Sequence, residues 1–159
     1  MSQRAKDLAE RLGKFNEEVI AFVKKCTDED WRKTSWEDWP VGVVARHIGA
    51  GHIDGATKMA GMIVKGERFP EMTMKQIDDM ANEHARKHAD CDKAEVLDIL
   101  QKTGDSLVQF VASLNDADLD RTGYLPAMGS DVSTQQLIEN VVLTSAGEHF
   151  AGIKKAVGA

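Results

Sequence analysis

Apolar side chains return every third or fourth position near the start of the chain, at Leu8, Leu12, Phe15, Val19, Phe22 and Cys26. That spacing draws one apolar stripe along an α-helix and predicts a helix over residues 2–26. Ser2 stands where it caps such a helix, and Asp7 and Glu10 lie early, where the helix dipole favours acids. Thr27 with an acid three residues on predicts one short turn. A second stripe, Val41, Val44, Ile48, Gly55, Met59 and Met62, follows Pro40, which suits a first helical turn, and ends near Gly66. Thr73 and Gln76 open a shorter helix reaching about His88. Asp92 with Glu95 makes a capping box before Leu97, Leu100, Leu107, Phe110, Val111 and Leu114. Ser133 and Gln136 cap a last helix to about Ala156, striped by Ile138, Val142, Ser145, His149 and Ile153.

Valine and isoleucine do not alternate with polar residues, and RTGYLPAMGSD, 121–131, reads as a loop. The elements therefore predict an all-α four-helix bundle, one domain over residues 1–159, with one short helix in a long connection between the second and third main helices. That connection suggests a crossover rather than a simple up-down-up-down order. Glycines 49, 51 and 55 weaken the second helix by about 1 kcal/mol each by propensity. They are tolerable where a neighbouring helix or a ligand must come close.

Charge narrows the function classes. With 20 Lys and Arg against 26 Asp and Glu, the chain carries a formal net charge of -6. Duplex binding draws on lysine and arginine displacing counterions, and the densest basic runs here are pairs, Lys24-Lys25 and Arg32-Lys33. No nucleic acid and no anionic membrane are expected as partners. There is no membrane-spanning apolar run, and MSQRAKDLAERLGKF lacks the apolar stretch of a secretory signal. Cys26 and Cys91 form no C-x-x-C pair, so a reducing, cytoplasmic setting is expected.

Histidines are the candidate chemistry. His149 lies in the inward stripe of the last helix, one turn beyond Ser145, and His47 lies at the edge of the stripe of the second. On a straight α-helix His52 is turned roughly 140° from His47, so the two are predicted to face different sites. His47 and His149 are left to meet across the bundle. Two inward imidazoles suit zinc, nickel or iron, although a core histidine satisfied by a serine, a carbonyl or water is the plainer alternative. Ser145 with His149, at i and i+4, is a weak nucleophile–base candidate, because no orienting acid or oxyanion hole is visible. His84, His88 and Cys91 repeat on one face, and solvated surface is the expectation there. Trp31, Trp36 and Trp39 fall within nine residues and are expected to close one end of the core, with Trp39 at a pocket rim.

Three segments carry a family likeness: WPVGVVARH (39–47), IDDMANEH (77–84) and EHFAGI (148–153). In order and spacing they resemble the DinB/YfiT-like four-helix bundles, over nearly the whole chain. The resemblance implies an up-down-down-up bundle, often a homodimer, with a divalent metal near one end. It also implies metal-dependent hydrolases and thiol-dependent enzymes as relatives, among them mycothiol-dependent maleylpyruvate isomerase. The family's metal triad takes one histidine from the second helix and two ligands at i and i+4 on the last. His47 and His149 match two of these positions, and Ser145 stands at the third, leaving the triad incomplete. Asp54, two turns from His47, is a weak further candidate, and His84 falls in the family's middle segment. Glu148 points away from His149.

The expected function is therefore a metal-dependent small-molecule enzyme, a hydrolase or a thiol-dependent transferase or isomerase. The alternative is a non-catalytic small-molecule-binding or stress-response module that has lost the metal. A purely structural dimerisation role is a third.

Overall fold

The computed structural model describes residues 2–35 and 38–159; Trp36 of the tryptophan cluster lies outside them. The first helix, α1 (Gln3–Lys25), starts where the Ser2 hydroxyl accepts from the Ala5 N–H, as expected. The short turn is α2 (Asp28–Arg32), closed at its start by a reciprocal Thr27–Asp30 capping box. The second long helix is composite: α3 (Val41–His47), a π-helical stretch π1 (Ile48–Ile53), then α4 (Asp54–Lys65). Gly66, at φ 75°, ends it in the left-handed conformation that glycine accepts most readily. The crossover carries α5 (Met74–Lys87), capped by Thr73 and Gln76, and α6 (Lys93–Ala112) follows from an Asp92 cap. The last helix is again composite: α8 (Thr134–Ile138), π2 (Glu139–Ala146) and α9 (Gly147–Ala156).

Two short features depart from the sequence reading. A five-residue helix, α7 (Asp116–Asp120), follows α6, capped reciprocally by Asn115 and Asp118. Where a loop was expected, β1 (Thr122–Leu125) and β2 (Ser130–Ser133) form an antiparallel hairpin, with Thr122 opposite Ser133 and Leu125 opposite Ser130. Each strand is four residues long, too short for an alternation to stand out. Gly123 seats the hairpin on the bundle, since a Cβ there would lie 3.0 Å from Ile63 Cγ1.

Contacts along the helices give their directions. Ser2 hydrogen-bonds Asp116 just beyond α6, while Lys93 at the start of α6 donates to the carbonyl of Cys26 just beyond α1. These two helices are antiparallel. Asn16, 6 % exposed, joins them midway: its Nδ2 donates to the Leu100 carbonyl at 3.1 Å across Gly104, where no side chain would fit. Arg46 meets Glu95, and Gly49 meets Ile99 and Leu100, so the second helix runs parallel to α6. In turn α3 packs on α9, π1 on π2 and α4 on α8, which makes the second and last helices antiparallel. Arg11 pairs with Glu139, and Phe15 and Phe22 both meet Phe150 edge-on, so α1 and the last helix run together. The order is up-down-down-up, a four-helix bundle whose long crossover carries α5.

The second helix buries different residues from those predicted beyond Ile48. A straight α-helix would carry the stripe through Gly55, Met59 and Met62; the buried positions are Ile53, Ala56, Ala60 and Ile63. Ala56, Ala60 and Ile63 each lie one residue after a predicted position. Hydrogen bonds spanning five residues in π1 absorb one extra residue without turning the downstream helix away from the core. Gly49 makes this stretch fit, because a Cβ there would stand 3.0 Å from Ile99 Cγ2. By contrast α5 buries none of its residues and rests against α3 through partly buried Ala81 and Ala85.

Candidate metal centre

The same extra residue brings His52 to His47. Where hydrogen bonds span five residues, the fifth side chain returns nearly above the first, instead of standing a third of a turn or more away. The His47 and His52 rings are 4.7 Å apart between centroids and nearly perpendicular. The expectation that these two histidines face different sites is thus corrected by π1. His149, from α9 across the bundle, has its ring 5.0 Å from that of His52 and 5.9 Å from that of His47. One ligand nitrogen from each of His47, His52 and His149 can be chosen so that all lie within 4.8 Å of one another.

Burial makes the His47 and His52 rings neutral. Desolvation first, then the neighbouring histidines, lowers His47 from 6.5 to about 3, and desolvation with His149 lowers His52 to about 4. Neutral imidazoles with in-plane lone pairs are the form a divalent ion binds. Buried Nδ1 of His47 has no hydrogen-bond partner among the described residues. His52 Nδ1 faces the His47 carbonyl at 3.5 Å, and its Nε2 lies 3.1 Å from Ser145 Oγ. A carbonyl at Nδ1 favours the tautomer whose Nε2 is free to bind, the usual outer support of a metal-bound histidine.

The surroundings shape His47 closely. Trp39, 7 % exposed, meets its ring edge-on at 5.4 Å, so the predicted pocket-rim tryptophan is a buried wall of the cluster. A Cβ at residue 51 would stand 2.7 Å from His47 Nδ1; Gly51 leaves the space the imidazole occupies. The expectation that these glycines admit a neighbouring helix holds at Gly49; Gly51 instead makes room for His47 of its own helix, and among the described residues nothing lies within 4 Å of a Cβ at Gly55.

The other candidates fall at differing distances from the cluster. Ser145 touches it, but its partner is His52. Asp54 is half-buried and pairs with Lys58 at 2.8 Å, outside the three-histidine group. Glu148 is exposed. His84 of α5 does reach the cluster, its ring 5.5 Å from that of His47, and the His88 ring lies 4.9 Å from that of His84, tilted by 48°. Cys91 is half-buried and free, and its carbonyl accepts from Trp31 Nε1. His52 was the residue the sequence reading missed. Its signal was present: Ile53, Ala56, Ala60 and Ile63 form a stripe as regular as the predicted one, and only a helix with an inserted residue joins it to Val41, Val44 and Ile48.

A divalent ion fits this set. Metal–nitrogen bonds of 2.0–2.1 Å put the nitrogens of a tetrahedral site roughly 3.3 Å apart. Separations of up to 4.8 Å then close by side-chain rotations on the order of 1 Å.

A family model for the DinB superfamily matches residues 11–148. The fold is similar to that of YfiT from Bacillus subtilis, described as a probable metal-dependent hydrolase with an unusual four-helix bundle topology. The TM-score is 0.75 at 18% identity, over 98% of this chain and 87% of that one. No curated protein sequence matches the chain.

Proposed function

The chain belongs to the DinB superfamily, and on that footing we propose that it is a metal-dependent small-molecule enzyme whose divalent ion is held by His47, His52 and His149. The convergence of three imidazoles in one half-buried cluster, with His47 and His52 held neutral, supports this reading above all. Zinc, nickel or iron suits a three-imidazole set. His52 supplies the third donor that the family pattern places at residue 145. Ser145 is small enough to admit that ring, and its hydroxyl satisfies Nε2 when no ion does. Likeness to YfiT favours hydrolysis, and the family also contains thiol-dependent transferases and isomerases. A homodimer in the cytoplasm completes the proposal; among the described residues no helix is long and apolar enough to cross a membrane.

Each residue has a definable part. Trp39 holds the edge of the His47 ring, the His47 carbonyl orients His52, and Gly51 leaves the space that the His47 ring occupies. When bound, the ion would polarise a substrate oxygen and ease ionisation of a bound water or thiol. Ser145 with His52 also has the outline of a nucleophile and base. The lowered His52 pKa, about 4 against 6.5, makes it a poor acceptor for a serine proton but keeps the ring in the neutral form that a metal binds.

Metal uptake decides the matter. Purified protein, stripped and then titrated with zinc, nickel or iron(II), is expected to take one equivalent. His47→Ala, His52→Ala and His149→Ala should each weaken binding by at least tenfold, while Asp54→Ala should not. No uptake by the wild type would leave a metal-free binding module as the better reading.

A further inference from the structure

The crossover helix is held differently from the rest of the bundle. At 100° per residue, Met74, Ile77, Ala81, His84 and Ala85 of α5 share one face. Ala81, His84 and Ala85 are partly buried, yet Met74 and Ile77 on the same face are 48% and 39% exposed. That face is therefore seated at its C-terminal half and open at its N-terminal half. The chain is anchored just outside the helix on both sides: Phe69 is buried, and the Cys91 carbonyl accepts from Trp31 Nε1. Residues 70–73 and 88–90, between these anchors and α5, form neither helix nor strand. The Thr73–Gln76 capping box and the pairs Lys75–Asp79 and Glu83–Arg86 belong to α5 and its cap, so the helix keeps them wherever it stands.

A polar contact fastens α5 to its main neighbour, α3. Nη1 of Arg46, the residue before His47, meets Nε2 of His84. Arginine has donors alone, so Nε2 of that ring accepts and the neutral ring carries its proton on Nδ1. This Nδ1 is buried with no partner among the described residues. Closure leaves that donor dry, and water supplies the missing bond once the ring lifts. Closure also sets the His84 ring 5.5 Å from that of His47, at the edge of the cluster. An element with few buried apolar contacts and an unsatisfied donor opens at lower free energy than the bundle beneath it. We propose that α5 is a lid on the three-histidine cluster, latched by Arg46 and His84 and hinged at residues 70–73 and 88–90. This structure shows the closed position, and lifting uncovers His47. The gating role rests on the cluster being the reaction centre; the motion itself needs no ion.

The test uses the full, metal-free chain and two readouts: amide hydrogen exchange, and carbethoxylation of His47 by diethylpyrocarbonate mapped by mass spectrometry. Amides of α5 are expected to exchange together, roughly a hundredfold faster than those of α3 and α6. Arg46→Gln unfastens the latch and should speed both α5 exchange and His47 modification by about tenfold, leaving α6 exchange unchanged. Exchange of α5 only in step with α6, or faster α5 exchange with no change at His47, overturns the lid. If the variant does not fold, the wild type in urea below its unfolding transition decides alone. There the two rates should rise in parallel, and His47 modification that rises only with global unfolding overturns the lid. Zinc uptake measured separately keeps the two readings apart: no uptake sinks the metal centre and leaves the lid to be judged on these rates.

Discussion

At the scale of single residues, Ser145 and Gly51 separate the metal reading from its rivals. Ser145 hydrogen-bonds His52 Nε2 in the metal-free fold. Replacing it by alanine leaves that nitrogen unpaired, so Ser145→Ala should lower metal-free stability by about 1 kcal/mol, read from the denaturant midpoint. Zinc affinity should hold or rise, because the hydroxyl competes with the ion for the same nitrogen. A large loss of zinc binding would instead make Ser145 a ligand. Gly51→Ala sets a methyl 2.7 Å from His47 Nδ1. The ring must move, and the expected result is a loss of about 1–3 kcal/mol together with weaker zinc binding. Unchanged zinc affinity in that variant would show that His47 is not placed by this contact. The sequence made His47 and His149 legible as inward positions by spacing alone. His52 was not legible in the same way, because its direction depends on whether the helix between residues 47 and 52 is α or π.

At the scale of elements, the π stretch makes a prediction that a straight helix does not. Deleting Ala50 removes the extra residue, and the segment should then close into continuous α-helix. The two histidines would stand at i and i+4, still on one face, and Ile53, Ala56, Ala60 and Ile63 would keep their inward direction. Helix content by circular dichroism and zinc binding should therefore survive this deletion. Deleting Ala60 instead, outside π1, turns Ile63 away from the core and should destabilise the protein severely. Should the Ala50 deletion unfold the chain while the Ala60 deletion does not, the register account is wrong. Capping was the most readable feature at this scale: Ser2, Thr27, Thr73, Asp92 and Ser133 each cap the helix start assigned to them. Local bonds between a side chain and the next turn need no tertiary context. The hairpin and α7 escaped notice because each is too short to show a period.

For the molecule as a whole, the histidine cluster ties stability to pH. His47, His52 and His84 are held at about 3, 4 and 4, against 6.5 when unfolded. Between those values the unfolded chain binds protons that the native chain refuses, so stability falls as pH drops from about 6.5 towards 4, and the penalty is absent above that window. Urea midpoints measured from pH 7.5 to 4.5 should fall across this range, and His47→Gln with His52→Gln together should flatten the profile. An unchanged slope in the double variant would mean that these rings are not the groups refusing protons. Bound zinc should raise the midpoint at pH 7.5 by mass action and lose that effect in acid, where protons compete for the same nitrogens.

Periodicity and caps, written in consecutive residues, carried the helices, their approximate ends and the bundle class. Family likeness in three short segments added the up-down-down-up order, which contacts between helices then bore out. Tertiary structure alone decided the composition of the cluster. One inserted residue in π1 is accommodated because Gly49 lets α6 approach and the downstream helix must still bury Ile53, Ala56, Ala60 and Ile63. That demand comes from the packed neighbours rather than from local preference, and it is what turns His52 towards His47 and His149.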